Sequence, residues 1–166
     1  MLLPGILLFV LCLFLSAFFS SSETAYIAAN PYSLEYQEKK GSKRAALARK
    51  IRARTNDLLA AILIGNTLVN AAAASIATSV FVSVLPERQK NRAVIYATAA
   101  TTLLILVFGE VNPKTFAAHN PVRLVTLYAF PLRAVMVLLS PLVKLFSLVT
   151  GLIMPSSRTS KDASGR

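Results

Sequence analysis

The sequence predicts an all-α membrane protein with three transmembrane helices and further juxtamembrane or re-entrant amphipathic helices. Three observations lead to this fold class. The chain has 166 residues, of which 55% are hydrophobic, and its mean hydropathy is +0.59. It contains three long stretches without a charged residue, each near the length that a helix needs to cross a bilayer. Its 18 Lys and Arg residues outnumber 7 Asp and Glu, and they lie mainly outside those stretches.

The composition argues against several other classes of protein. Only 15% of the residues are charged, and the high hydropathy is not typical of a disordered chain or a soluble nucleic-acid-binding protein. The basic segment lacks interleaved aromatic residues for stacking on bases, so no nucleic acid is expected as a partner. The single cysteine, Cys12, can form neither an internal disulfide nor a cysteine zinc cluster. No nucleophile–base pair or phosphate-binding loop is apparent, so we expect no enzymatic activity.

The first span is predicted over residues 2–29. Its first part carries no charge, and the absence of a basic segment at the amino terminus argues against a cleaved signal peptide. Asn30 and Pro31 favour a break at its end. The next segment, residues 32–54, holds eight basic and two acidic residues, with Gly41 as the predicted turn between two short helices. By the positive-inside rule this basic loop is expected to be cytoplasmic.

Two more spans are predicted, over residues 57–85 and 92–111. Both are apolar over the length that a tilted helix needs to cross the bilayer. A short polar turn, residues 86–92, joins them on the side opposite the basic loop. The chain is therefore expected to return to the cytoplasmic side after Lys114.

The carboxyl-terminal part of the chain is predicted to form juxtamembrane helices over about residues 120–154. It is apolar, but Pro131, Pro141 and three basic residues interrupt it. Such short segments fit interfacial or re-entrant helices better than a span, although a fourth span in this region stays open. Residues 155–166 are small and polar and are predicted to be a linker or tail. Residues 1–154 are thus predicted to form one multi-pass domain of the inner (plasma) membrane.

Oxygen-bearing side chains share faces of the first two spans. Ser16, Ser20 and Glu23 follow the i, i+4, i+7 spacing, which places them on one side of a helix. Asn66 and Asn70 are likewise four residues apart in the second span. A carboxylate at membrane depth costs several kcal/mol unless it is paired, protonated or bound to a cation. These positions are therefore candidates for a cation site.

The third span ends in a further group of oxygens. Because Pro113 has no N–H, a helix break there is expected to leave the Gly109 carbonyl free beside the Glu110 carboxylate. Hydroxyl, amide, carboxylate and carbonyl oxygens are hard ligands that suit Mg²⁺, Ca²⁺ or Na⁺. Structural interpretations stay open beside this one. Ser16 can bond to its own backbone, the asparagines can connect helices, and Glu110 can pair with Lys114.

Three segments resemble the motifs of a known family. They are residues 18–25 (FFSSSETA), 63–70 (LIGNTLVN) and 107–115 (VFGEVNPKT). In sequence, order and separation they are similar to the transmembrane domain of the CorB/CorC and cyclin M (CNNM) family, and the resemblance covers about residues 3–154. It implies a homodimer that exports Mg²⁺ in a Na⁺-dependent manner. It also implies a cytosolic CBS-pair module that binds ATP and follows the membrane domain in the full-length protein. No CBS-pair module is recognised in this chain, so ATP regulation is not expected within it.

The resemblance carries a Mg²⁺ site onto six residues, two from each motif: Ser20, Glu23, Asn66, Asn70, Gly109 and Glu110. Ser21 stands where the family commonly has Gly, and Asn112 where an apolar residue is frequent, but neither change removes a donor. Mg²⁺ is the implied transported ion and Na⁺ the coupling ion, whose site is not predicted. The expected partners are a second copy of the chain and the lipid bilayer. Two other functions stay open: a membrane anchor and dimerisation module, or a cation channel that uses the same oxygens.

Overall fold

The computed structural model describes residues 2–84, Pro86 and 90–145, and the regular structure in these residues is entirely helical. The α-helices are α1 (Leu2–Ala28), α2 (Pro31–Lys39), α3 (Lys43–Arg52), α4 (Thr55–Val84), α5 (Lys90–Leu104), α6 (Asn112–His119) and α7 (Pro121–Leu138). A π-helix, Ile105–Val111, joins α5 to α6, and residues 140–145 are again helical. The prediction of an all-α chain is confirmed. Residues 87–89 of the predicted outer turn, 146–154 of the juxtamembrane region and the tail 155–166 lie outside the described residues.

The helices include several that can cross a membrane. Among the described residues, four segments are long and apolar enough: Leu2–Ala28, Thr55–Val84, Val94–His119 and Pro121–Leu138. The first three correspond to the predicted spans, and the structure adds Pro121–Leu138 as a fourth candidate by length and composition. Large apolar side chains such as Leu3, Leu7 and Phe14 are exposed along α1. Such a surface is typical of helices that face lipid, because large apolar side chains are unfavourable in contact with water.

The connection from α1 to α3 follows the predicted breaks. The Asn30 side chain caps α2 by accepting a hydrogen bond from the Tyr32 N–H at 2.9 Å. Between α2 and α3, Gly41 has a φ of +89°, a conformation that favours glycine. The Arg52 guanidinium donates to the carbonyl of Ala29. The end of α3 is thereby fastened to the end of α1, the helix that precedes the basic loop.

The main core forms where α1, α2, α3, α7 and the first turns of α4 meet. Phe19 of α1, Leu34, Ile51, Leu58 and Leu132 are buried in it, one from each of these helices. Four of the five basic side chains of α3 are exposed, and Arg52, which bonds to Ala29, is half-buried. The core therefore joins the charged helix α3 to α7 and to the two longest apolar helices.

Glycines allow α1 to approach its neighbours closely. A Cβ atom added to Gly65 of α4 would lie only 2.5 Å from the ring of Phe19. A Cβ atom added to Gly109 of the π-helix would lie 2.7 Å from Oγ of Ser16. Because real Cβ atoms do not come this close to other atoms, glycine is required at both positions for this packing. The three helices that carry the sequence motifs are thereby brought into contact.

Candidate cation site

Polar residues of the three motifs meet between α1, α4 and the π-helix. Oγ of Ser16 donates to Oδ1 of Asn66 at 3.2 Å and links α1 to α4. Nδ2 of Asn70 donates to Oε1 of Glu110 at 3.5 Å and links α4 to the π-helix. Gly109 is buried against Ser16. Their spacing in the sequence predicted that polar residues share one face of each helix, and the packing of the three helices brings those faces into contact.

Two oxygens of the predicted set are buried without a hydrogen-bond partner in the described part of the chain. They are Oγ of Ser20 and Oδ1 of Asn70. A buried polar group without a partner costs about 1–3 kcal/mol, and a bound cation would remove that cost. Residues 2–84 and 90–145 contain no group of three or more His, Cys, Asp or Glu side chains that could hold a metal. The donors available here are therefore mainly neutral oxygens, which a hard cation accepts.

Glu23 has a basic partner within the chain. Its Oε2 lies 3.3 Å from Nζ of Lys114, and both side chains are less than half exposed. The i, i+4 spacing had allowed Lys114 to pair with Glu110, but Lys114 pairs with Glu23 because α6 packs directly against α1. Through Lys114, Glu23 is linked to the segment that follows Glu110 by about one helical turn.

The third motif forms a π-helix, Ile105–Val111, and the helix does not unwind at Pro113. The N–H of Asn112 donates to the carbonyl of Val107, five residues earlier. Pro113 follows Asn112 and has no N–H. It therefore donates neither to the carbonyl five residues earlier, as in a π-helix, nor to the Gly109 carbonyl four residues earlier, as in an α-helix. The chain stays wound here, and the free carbonyl that the sequence predicted at Pro113 rests on the missing N–H alone. π-helices are rare and frequently lie at functional sites.

The serines of α1 take different partners. The interpretation that Ser16 bonds to its own backbone is wrong, because α4 approaches closely enough for it to reach Asn66. Ser21 does bond to its own helix, since its hydroxyl donates to a carbonyl one turn earlier at 2.6 Å. The hydroxyls of Ser22 and Tyr26 are buried without a hydrogen-bond partner among the described residues. Sequence reasoning missed them, although their i, i+4 spacing on an apolar helix was a usable signal.

Comparison with known proteins extends beyond the three motifs. Residues 7–164 match the family model of the cyclin M (CNNM) transmembrane N-terminal domain. The UPF0053 inner membrane protein YfjD of Escherichia coli K12 is 35% identical over 140 residues, which cover 84% of this chain and 32% of that protein. A UPF0053 protein of Haemophilus influenzae is 34% identical over 148 residues, 89% of this chain and 34% of that protein. The metal transporter cnnm-1 of Caenorhabditis elegans is 32% identical over 116 residues, 68% of this chain and 13% of that protein.

These matches cover most of the chain, whereas the chain spans about a third of the length of the two bacterial relatives. They agree with the several apolar helices of the structure, each long enough to cross a membrane. The family resemblance that the motifs indicated is therefore confirmed. The chain belongs to the CNNM family and is a multi-pass transmembrane domain of that family.

Proposed function

We propose that this domain exports Mg²⁺ across the membrane, driven by Na⁺, through an oxygen-ligand site between three spans that strips the ion of its water. The observation that carries the proposal is the pair of buried, unpartnered oxygens, Oγ of Ser20 and Oδ1 of Asn70. The similarity to a relative named as a metal transporter supports it. The proposed ligands are Ser20, Glu23, Asn66, Asn70, Gly109 and Glu110, with Pro113 leaving a backbone carbonyl free.

The ligand chemistry suits a divalent ion. Glu23 and Glu110 together carry the two negative charges that balance Mg²⁺. Mg²⁺ requires near-octahedral oxygen ligands at about 2.0–2.1 Å and gives up water reluctantly. Hydroxyl, amide and carbonyl oxygens held by three packed helices can replace that water, because the packing has already fixed their positions.

Lys114 supplies a charge that an ion must displace. In the structure its ammonium lies beside Glu23 and compensates that carboxylate. Arrival of Mg²⁺ would free Lys114 from Glu23, so loading replaces a singly charged cation beside this carboxylate with a doubly charged one, and release reverses the exchange. Helix rearrangement that favours one partner over the other would then open the site to one side of the membrane at a time.

The packing of α7 supports a topology with three spans. This helix lies against α3, whose outer face carries exposed Lys43 and Arg44. Such a charged face is unfavourable in hydrocarbon, so we place α3 and α7 together at the cytoplasmic surface. The spans are then α1, α4 and the segment from α5 to α6.

Homodimerisation and a CBS-pair module in the full-length protein are part of the same proposal and rest on the family.

Calorimetric titration of the purified protein with MgCl₂ tests the site. Ser20→Ala and Asn70→Ala are each expected to weaken Mg²⁺ binding about tenfold or more, since one lost ligand of about 1.4 kcal/mol corresponds to that factor. Ser75→Ala is the matched control, because this exposed hydroxyl on α4 bonds only to its own backbone, at 3.0 Å from the Ala71 carbonyl.

The outcomes separate the three functions. If both site variants bind Mg²⁺ as tightly as the Ser75→Ala control, the polar residues only connect helices and the domain is an anchor module. If binding is lost but Mg²⁺ flux into proteoliposomes does not respond to a Na⁺ gradient, the site belongs to a channel. Na⁺-dependent flux that is lost in both site variants supports the transporter.

A further inference from the structure

A second polar site lies away from the cation site, in a cavity of about 590 Å³. The cavity is enclosed by α3, the start of α4, the second half of α7 and the helical stretch that follows it. Its lining residues include four basic side chains and one acidic one: Lys50, Arg54, Arg133, Lys144 and Asp57. None of the proposed Mg²⁺ ligands lines it, so it is a separate feature of the molecule.

The cavity has an excess of positive charge. Nε of Arg54 lies 3.2 Å from Oδ2 of Asp57, and this pair is neutral as a whole. The other three cations, Lys50, Arg133 and Lys144, take part in no ion pair with any residue that the structure describes. Like charges gathered around one cavity repel each other. An anion placed among them would therefore be bound favourably.

The walls between these cations are apolar. Ile51 and Val143 are buried in the lining, and Met136 lies beside them. At the mouth, Val137 is 67% exposed, and the next residue, Leu138, is 75% exposed. A small inorganic anion gains nothing from apolar walls, whereas an amphiphile with an anionic head and an apolar tail contacts both kinds of surface.

The cavity also lies at the level where the chain changes from charged to apolar. Asp57 is the last charged residue before the apolar stretch of α4, which begins at Leu58. Basic pockets at such a position favour anionic lipid headgroups. We propose that this cavity binds an anionic phospholipid, with its phosphate among Lys50, Arg133 and Lys144 and its acyl chains along Val137. This inference does not depend on the proposed transport of Mg²⁺.

Fluorescence quenching tests the proposal directly, since the chain contains no tryptophan. Leu138→Trp introduces a reporter beside the cavity without changing a lining residue. The protein is reconstituted in phosphatidylcholine vesicles that contain brominated phosphatidylglycerol or brominated phosphatidylcholine. Phosphatidylglycerol is expected to quench the reporter preferentially. In the Arg133→Gln/Lys144→Gln variant its relative binding constant should fall about fivefold for each cation removed, the factor for one basic residue near an anionic surface.

Lys43→Gln/Arg44→Gln is the matched control, because these exposed cations belong to α3 but do not line the cavity. It is expected to retain the preference for phosphatidylglycerol. The proposal is overturned if the two lipids quench the reporter equally when the cavity is unsubstituted. It is also overturned if the control loses as much of the preference for phosphatidylglycerol as the Arg133→Gln/Lys144→Gln variant does. The proposal is also overturned if sodium phosphate relieves the quenching and sodium chloride at the same ionic strength does not. That result would identify a site for free phosphate. Unchanged quenching by phosphatidylcholine verifies that the substitutions leave the reporter in place.

Discussion

Lys114 gives the candidate site a positive charge of its own, 3.3 Å from Glu23. A carboxylate near the membrane interior needs a partner, and the ammonium provides one when no ion is bound. Glu110 has a different partner, the amide of Asn70 on α4. The two carboxylates thus have different partners. A divalent ion that binds both must displace the ammonium of Lys114 from Glu23 and reorient the amide of Asn70 beside Glu110.

Substitution of Lys114 tests this competition. Lys114→Gln removes the ammonium that an ion must displace, so Mg²⁺ is expected to bind more tightly. A partly exposed ion pair is worth up to about 1 kcal/mol, which corresponds to an increase in affinity of up to about fivefold. Lys43→Gln, an exposed cation of the basic loop, is the control and should leave the titration with MgCl₂ unchanged. Weaker binding in Lys114→Gln would mean that the lysine organises the site and does not compete for it.

The π-helix is the element that distinguishes this site from an ordinary crossing of three helices. Its wider register places Gly109 against Ser16 and ends at Val111, two residues before Pro113. Because Pro113 has no N–H, we expect one carbonyl of this segment to stay free. In an α-helix with the same residues Pro113 would also leave a carbonyl without an N–H donor, but the side chains that follow would be turned by a different angle. The position of Lys114 beside Glu23 therefore depends on the register of the element that precedes it.

Pro113→Ala tests whether the free carbonyl matters. The new N–H can bond to the Gly109 carbonyl, so the helix is expected to become more stable and its unfolding temperature to stay the same or rise. Mg²⁺ affinity should fall about tenfold at the same time, because a ligand of about 1.4 kcal/mol is lost to the backbone. Pro131→Ala, at an exposed proline inside α7, is the control and should leave the affinity unaltered. A Pro113→Ala protein with normal Mg²⁺ binding would argue against a backbone ligand.

Local rules predicted much of this element-scale organisation. Proline after Asn30 and glycine at position 41 set the ends of α2, and helical spacing grouped the polar residues onto shared faces. The π-helix could not be predicted in this way, because its extra residue per turn depends on contact between Gly109 and Ser16, 93 positions apart in sequence. The ion pair between Glu23 and Lys114 has the same origin. Sequence spacing reports which residues share a helix face, and packing between helices decides which faces meet.

Across the whole molecule, the net charge of +11 is distributed by position. Cations of the basic loop are mainly exposed on α3 or lie around the basic cavity, while the buried polar groups of α1 and α4 are oxygens. α7 packs against α3 and lies on the charged side of the molecule, although its 18 residues would be about 27 Å long and close to the thickness of the hydrocarbon layer. Length alone therefore does not decide whether α7 is a span.

Accessibility of single cysteines decides the topology. In a Cys12→Ala background, which removes the only native cysteine, Arg123→Cys and Leu145→Cys mark exposed positions at the start of α7 and after its end. If α7 lies along the membrane surface, a membrane-impermeant maleimide added to intact cells should leave both cysteines unmodified until the membrane is permeabilised.

Lys43→Cys in the basic loop should behave in the same way, whereas Pro86→Cys in the outer turn should react with intact cells. Reaction of only one of the two α7 cysteines in intact cells would make that helix a fourth span. The charged face of α3 argues against this result, because a spanning α7 would draw those cations toward the hydrocarbon with no described carboxylate to pair with Lys43, Arg44 or Lys50.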